Sequence, residues 1–327
     1  MTPEILLAGI MLAALMLYLL GGGADFGGGV WDLLASGPRA KDQRALIEKS
    51  IGPIWEANHV WFIFVFTVFF AAFPPAFSYT VTALFLPLTI YAVGIVLRGA
   101  AFTFRHYDPE RSHSGPWSLL FSGASLLCPF LLGTMGAALS RDVPLTSPLL
   151  GAFTVSGGFF LVALVAALAA AYLTVDAGES PLAKDFKTRA MAALLAAGGF
   201  GLLTLVFART SAPTLYARIL GMPVPWVIAT LVGLAALGLL HRQRYTQARV
   251  ATAALLVLVV AAWAWAKGTT LAVGEGGARL TIENTKSHPA TLTTLIYACA
   301  AGSLLLFPSL FLLFRVFGSS QRANDKS

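Results

Sequence analysis

The sequence predicts an all-α polytopic membrane protein with nine transmembrane helices. Three observations carry this prediction. Hydrophobic residues fill 57% of the 327 positions and charged residues only 11%, where a soluble globular domain averages roughly 25% charged residues. The apolar residues gather into nine runs, at about 4–34, 51–72, 79–104, 117–138, 148–174, 189–208, 222–240, 250–267 and 291–315. Each is close to the roughly 20 residues needed to cross a hydrocarbon core of about 30 Å. Finally, no polar stretch between the runs is long enough to form a soluble domain. We therefore expect a single transmembrane domain over residues 1–327, arranged as two four-helix bundles plus one peripheral helix.

The first run lacks a basic N-terminal region and is too long for the apolar segment of a signal peptide, so it reads as the first crossing. It contains "GGGADFGGGVWDLL" (21–34), with Asp25 among six glycines. Gly23 and Gly27 are four apart, as are Gly21 and Asp25. One helix face is therefore nearly bare backbone, open to close approach by a neighbour, although six glycines also weaken the helix. The second run opens with "SIGPIWEANHVWFI" (50–63). Pro53 suits a first helical turn, and Trp55 suits the membrane interface. Trp55 and Glu56 are four and three residues before His59, so the three share one side of a helix.

The third run carries Arg98. Cys128 and Cys299 lie inside the fourth and ninth runs, where a free cysteine behaves as a small buried hydrophobe. Without a CxxC pattern, neither a disulfide framework nor a metal site is expected. The longest polar connection, 268–290 ("GTTLAVGEGGARLTIENTKSHPA"), reads as a solvated connector or a small lid.

Orientation follows from the basic residues. The connections at 35–50, 105–116, 175–189 and 241–249, with the tail from 315, hold 15 Lys and Arg, and the connections on the opposite side hold 6. The positive-inside rule then places the N-terminus in the periplasm and the C-terminus in the cytoplasm, as nine crossings require. This topology accounts for the net charge of +7, so no nucleic-acid partner is implied.

Ionisable groups inside hydrocarbon are costly and usually face a bundle interior or a hydrated path. Counting at 1.5 Å per residue, Asp25 lies roughly 13 Å from the cytoplasmic end of its run, Glu56 about 8 Å and Arg98 roughly 9 Å. Consecutive, shortly connected helices are usually neighbours, so the three are expected in one cluster. Arg98 pairs with Asp25 or Glu56. A carboxylate left without a cation would then be suited to binding and releasing protons. A fixed ion pair that only locks helices together is the competing reading. His59 is the only histidine deep in an apolar run, too few for bis-histidine haem ligation, so no cofactor is expected on this chain alone.

"GADFGGGVWDLL", "SIGPIWEANHVWFI" and "IVLRGAAFTFRHYD" (95–108) together resemble subunit II of cytochrome bd ubiquinol oxidase. The resemblance implies a heterodimer with a similarly folded subunit I in the bacterial cytoplasmic (inner) membrane. In that complex subunit I holds haem b and haem d and oxidises quinol with O2. It also implies that subunit II supports assembly and contributes acids to a proton path from the cytoplasm. The family's GFD-type aspartate corresponds to Asp25. The acid of its tryptophan–acid–Gly/Ala–Asn motif corresponds to Glu56, between Trp55 and Asn58, with Trp61 following. Its third-helix arginine corresponds to Arg98 or Arg105. Many members carry a further acid three residues before Asp25, where this chain has Gly22. A bound structural quinone or lipid and a small accessory subunit are compatible with the resemblance.

Two other readings compete. A proton-coupled secondary transporter would also use glycine-interrupted helices bearing acids, but its internal symmetry calls for a second such segment, and none follows residue 140. The other is a purely structural subunit of the same oxidase.

Overall fold

In a computed structural model of the chain, residues 2–51, 55–106 and 115–324 are described. For residues 51, 55–57, 106, 307 and 310–324 the description is of the main chain alone. The helices are α1 (Pro3–Leu33), α2 (Ala40–Ile51), α3 (Trp55–Ala72), α4 (Pro74–Ala83), α5 (Phe85–His106) and α6 (Pro116–Ala138). There follow α7 (Ala152–Asp176), α8 (Leu182–Ser211), α9 (Pro213–Gly221), α10 (Val224–His241), α11 (Tyr245–Lys267) and α12 (Pro289–Asn324). A short hairpin, β1 (Thr270–Val273) with β2 (Arg279–Thr281), precedes α12.

Eight of these helices are long and apolar enough to cross a membrane. The second expected crossing is α3, whose described apolar part, Asn58–Ala72, is shorter. Helices α1, α3, α5 and α6 form one bundle, and α7, α8, α10 and α11 a second. They join where α7 packs on α1 and α6. Helix α12 lies at the edge against α1 and α3. The expected two bundles and peripheral helix are thus present.

Helix α7 explains the joint. Every residue from Val162 to Ala171 is buried, because alanine alternating with leucine and valine lets neighbours close on all sides. The glycines of α1 serve the same contact. A Cβ on Gly27 would lie 2.2 Å from the Val165 carbonyl oxygen, and one on Gly23 would press on Leu168 at 3.1 Å. Close packing outweighs the poor helix propensity of glycine, and α1 runs unbroken to Leu33. On the outside, Leu86, Val96, Leu119, Leu202 and Leu304 remain exposed, as helices facing lipid require.

Two connections differ from the sequence reading. Residues 40–51, expected within a loop, form the amphipathic helix α2. Its Gln43 and Ile47, one turn apart, are buried while Lys41, Asp42 and Lys49 face outward. The run expected from 79 to 104 is divided at Leu84 between α4 and α5. Pro87 has no N–H for the carbonyl four residues earlier, and its ring crowds that carbonyl, so one helix ends and another begins.

The connection 268–290 is folded and anchored. Antiparallel pairing matches Thr270 with Thr281 and Val273 with Arg279, and Gly276 and Gly277 turn the chain with positive φ. Leu145 donates its N–H to the Val273 carbonyl at 3.0 Å. Arg279 pairs with Asp142 at 3.1 Å and Lys286 with Glu4 at 2.7 Å. Both bundles are thereby tied together at this end.

Candidate functional site: a buried acid–base ladder

The intramembrane charges meet between α1, α5 and α6. Helices α1 and α5 run parallel, and three of their residue pairs share one offset of 73 positions: Tyr18 with Tyr91, Asp25 with Arg98, and Asp32 with Arg105. Seven residues separate successive rungs on each helix. Seven residues make almost two turns, so a heptad repeat of polar residues presents one face to a parallel neighbour, as apolar heptads do in a coiled coil.

The middle rung is the tightest. Arg98 Nη1 donates to Asp25 Oδ2 at 2.7 Å, Nη2 to Oδ1 at 2.5 Å and also to the Asp25 carbonyl at 3.2 Å. Its Nε donates to Ser125 Oγ at 2.7 Å. Both side chains are essentially sealed, at 1% and 2% exposure. The guanidinium also lies 5.1 Å from the Phe26 ring and 4.8 Å from the Phe121 ring. Such a pair is tolerated in hydrocarbon because nearly every polar group finds a partner.

The rung toward α2 is built differently. Asp32 Oδ1 accepts from Arg105 Nη1 at 3.0 Å, while Oδ2 accepts from Ser122 at 2.8 Å and from Ser118 at 3.2 Å. Arg105 also lies over the Phe121 ring, 4.9 Å from its centroid. Its Nη2 is 3.7 Å from Glu48 Oε2 on α2. Among the described residues, neither Nε nor Nη2 of Arg105 has a hydrogen-bond partner. The third rung joins the hydroxyls of Tyr18 and Tyr91, with Cys128 Sγ 3.8 Å from the Tyr91 carbonyl. Serines 118, 122 and 125 and Cys128 recur at three or four residues on α6, so a single face of that helix lines the ladder.

The sequence reading brought Asp25 and Arg98 together correctly. Of the two acids considered, Asp25 takes the guanidinium. Glu56 and Trp55 lie outside the described side chains. Asn58 is buried against the bare backbone of α1: a Cβ on Gly22 would sit 2.3 Å from its Nδ2 and one on Gly21 2.5 Å from its Oδ1. A side chain at position 22 would force the Asn58 amide to move, which gives a physical reason for glycine there. The His59 ring packs near Tyr18 and Phe26, with centroids 6.0 and 6.3 Å away. Asn58 Nδ2 and His59 Nδ1 are buried without hydrogen-bond partners among the described residues. Trp61 is half-buried against the main apolar core.

Sequence reasoning missed Asp32, Glu48, Tyr18, Tyr91 and the α6 serines. A signal was available in the repeated seven-residue spacing of Asp25 and Asp32 and of Arg98 and Arg105. Among the described residues, no cluster of three or more His, Cys, Asp or Glu is placed to hold a metal ion. Both cysteines are free.

Fold and site together define a multi-pass helical membrane protein whose polar residues are invested in a buried ladder of charges. Residues 3–317 match the family described as cytochrome bd terminal oxidase subunit II, and the chain belongs to that family of oxidase subunits. It is 32% identical over 123 residues to the cytochrome bd ubiquinol oxidase subunit 2 of Bacillus subtilis (strain 168), covering 38% of this chain and 36% of that protein. It is 25% identical over 139 residues to the cytochrome bd-I ubiquinol oxidase subunit 2 of Escherichia coli (strain K12), covering 42% of this chain and 35% of that protein. The matched segment thus spans about a third of the length of each relative. Among solved structures, that of the bd oxidase from Geobacillus thermodenitrificans superposes with a TM-score of 0.81 over 97% of this chain and 99% of the matched one. At 22% identity this likeness establishes the shared fold.

Proposed function

We propose that this chain acts as the second subunit of a quinol oxidase in the bacterial cytoplasmic membrane, docking a haem-bearing subunit I and supplying part of its cytoplasmic proton-uptake path. The haems, quinol oxidation and O2 reduction belong to the partner in this reading. The N-terminus faces the periplasm, so the α2 end of the ladder faces the cytoplasm. The observation that carries the reading is the buried ladder itself. Two carboxylates, two guanidinium groups, two phenols and three serines fill one seam of an otherwise apolar bundle, and intramembrane ionisable groups in such seams characteristically serve ion movement.

Within the path, Asp25 and Glu56 have different tasks. The bidentate hold of Arg98 fixes Asp25 in place, and Asp25 is the deeper of the two relay groups. Glu56, matching the family's second acid, is the carrier nearer the cytoplasm. Asn58, His59 and Trp61 pack the wall between them, with Trp55 at the interface. The partner's lipid or quinone tails have a fitting surface: an open apolar groove of about 550 Å³ between α5 and α6, lined by residues including Ile90, Val93, Leu97, Leu119 and Leu127.

The saturated Asp25–Arg98 pair also favours a second reading, in which the ladder only holds the subunit together. Glu56→Gln separates the two, because an amide keeps shape and most hydrogen bonding while ending proton transfer; Asp25→Asn does not, because its NH2 would face an Arg98 N–H and leave the buried guanidinium without a counter-charge. In complexes reconstituted in liposomes, Glu56→Gln is expected to retain the haem spectrum while oxygen consumption and proton uptake slow. Wild-type rates in the assembled variant would leave only the scaffold.

A further inference from the structure

We propose that the hairpin end of the molecule binds a single monatomic anion of the chloride class, in a small cavity lined by Arg141 and Lys267. The site lies entirely within this chain, so the proposal stands or falls independently of the oxidase reading.

The cavity measures about 20 Å³ and lies where the end of α6, the start of α9, the end of α11 and the hairpin converge. Its charged lining is Arg141, Asp142, Lys267 and Arg279. Asp142 is already committed. One carboxylate oxygen accepts from Arg279 Nη2 at 3.1 Å and the other from the Thr214 main-chain N–H at 2.8 Å. Asp142 and Arg279 cancel, and two positive charges remain.

Neither remaining cation faces a carboxylate. Lys267, partly buried at the end of α11, gives one ammonium proton to the Leu271 carbonyl at 2.6 Å and lies 5.8 Å from the Trp263 ring centroid. Arg141 gives Nη1 to the Pro148 carbonyl at 2.8 Å and Nη2 to the Ser147 carbonyl at 3.2 Å. Its Nε is buried and has no hydrogen-bond partner among the described residues. Among those residues, neither cation forms an ion pair. Carbonyl dipoles solvate such charges without neutralising them, and like charges brought to one cavity repel.

The hydrogen bonds still to be made are mainly ones the cavity would donate. Lys267 keeps two ammonium protons and Arg141 its Nε–H. The Thr214 hydroxyl, whose oxygen accepts from Arg279 at 3.1 Å, keeps its own proton to give. Spare donors and surplus positive charge complement an anion and repel a cation. Size narrows the class further. About 20 Å³ admits one water-sized particle, which suits a halide and excludes phosphate, sulfate or a lipid headgroup. A water would fit the space but bring no counter-charge. An anion here links α6 of the first bundle to α11 of the second, beneath the hairpin that ties them.

The test is thermal unfolding of the detergent-solubilised complex, titrated with chloride against gluconate at constant ionic strength. Chloride should give a saturable rise of about 2–4 °C, with bromide equivalent and sulfate inert. Lys267→Met and Arg141→Gln should melt independently of chloride. Arg209→Gln, which removes an exposed cation outside the cavity, should keep the wild-type response. Should both cavity variants fail to assemble, the wild-type protein still decides. In crystals of the complex grown in bromide, the anomalous signal should place one ion beside Lys267 Nζ and Arg141 Nε. The proposal is overturned by the lack of a bromide ion there, by a rise that gluconate or sulfate reproduces, or by cavity variants that keep the wild-type chloride response. A bromide ion without any chloride-dependent shift marks an adventitious ion only and overturns it as well.

Discussion

Arg98 grips Asp25 by both carboxylate oxygens and by its main-chain carbonyl. The contact fixes the height and rotation of α5 relative to α1, and Ser125 extends it to α6. Three helices are therefore locked by one buried guanidinium.

Removing that guanidinium should be severe. Arg98→Leu strands the Asp25 carboxylate in an apolar seam, and breaking a buried pair in this way costs about 3–5 kcal/mol. The yield of complex carrying the partner subunit should fall sharply. Arg98→Lys should rescue only in part, since a point-charge ammonium cannot reproduce the two parallel bonds. Co-purification from membranes measures both effects.

The Asp32–Arg105 rung should show strong coupling. Asp32→Ala takes from Arg105 its hydrogen-bonded counter-charge and leaves only the more distant Glu48, at 3.7 Å, whereas replacing both Asp32 and Arg105 with apolar side chains removes the buried cation as well. The double variant should therefore be more stable than the sum of the single losses implies, with a coupling energy within about 0.5–3 kcal/mol. Thermal unfolding of the four detergent-solubilised complexes gives the cycle directly.

The joint between the bundles depends on the absence of a methyl group. In Gly27→Ala the new Cβ would sit 2.2 Å from the Val165 carbonyl oxygen and 2.7 Å from Ala169 Cβ. Helix α1 must then retreat from α7, at a cost of about 1–3 kcal/mol. Gly9→Ala, on the same helix but with nothing within 4 Å of the added atom, should be neutral or slightly stabilising. Opposite melting shifts of the two variants are the expected result.

Trp31 joins the same pair of helices by a polar contact, donating Nε1–H to the Ala166 carbonyl at 2.7 Å. Trp31→Phe keeps most of the ring and loses the donor. A loss of about 1 kcal/mol is expected, readable as a small drop in melting temperature without loss of assembly.

The surface contact between Arg39, just before α2, and α8 should matter far less. Arg39 meets Asp185 at 2.6 Å, but its side chain is 47% exposed, and water and salt screen such pairs. Arg39→Ala should leave melting temperature and activity close to wild type. A large loss would mean that α2 depends on this surface pair more than on its buried Gln43 and Ile47.

The sequence by itself determined the number and order of the apolar runs, because spanning a bilayer demands length and composition that a single chain displays openly. It also put Asp25, Glu56 and Arg98 at neighbouring depths, roughly 13, 8 and 9 Å from the cytoplasmic ends of their runs, since depth along a helix follows from counting residues at a constant rise. What counting could not supply was azimuth. Whether Arg98 faces Asp25 or Glu56 depends on how each helix is rotated, and rotation is settled by distant contacts such as Gly27 on Val165 and Ser125 on Arg98. The same reason hid Asp32 with Arg105: at the run ends both resemble ordinary interfacial charges until α1, α5 and α6 close around them. Helix α2 and the anchored hairpin were likewise tertiary decisions, because Ile47 and Val273 gain burial and hydrogen bonds only from segments far away in the chain.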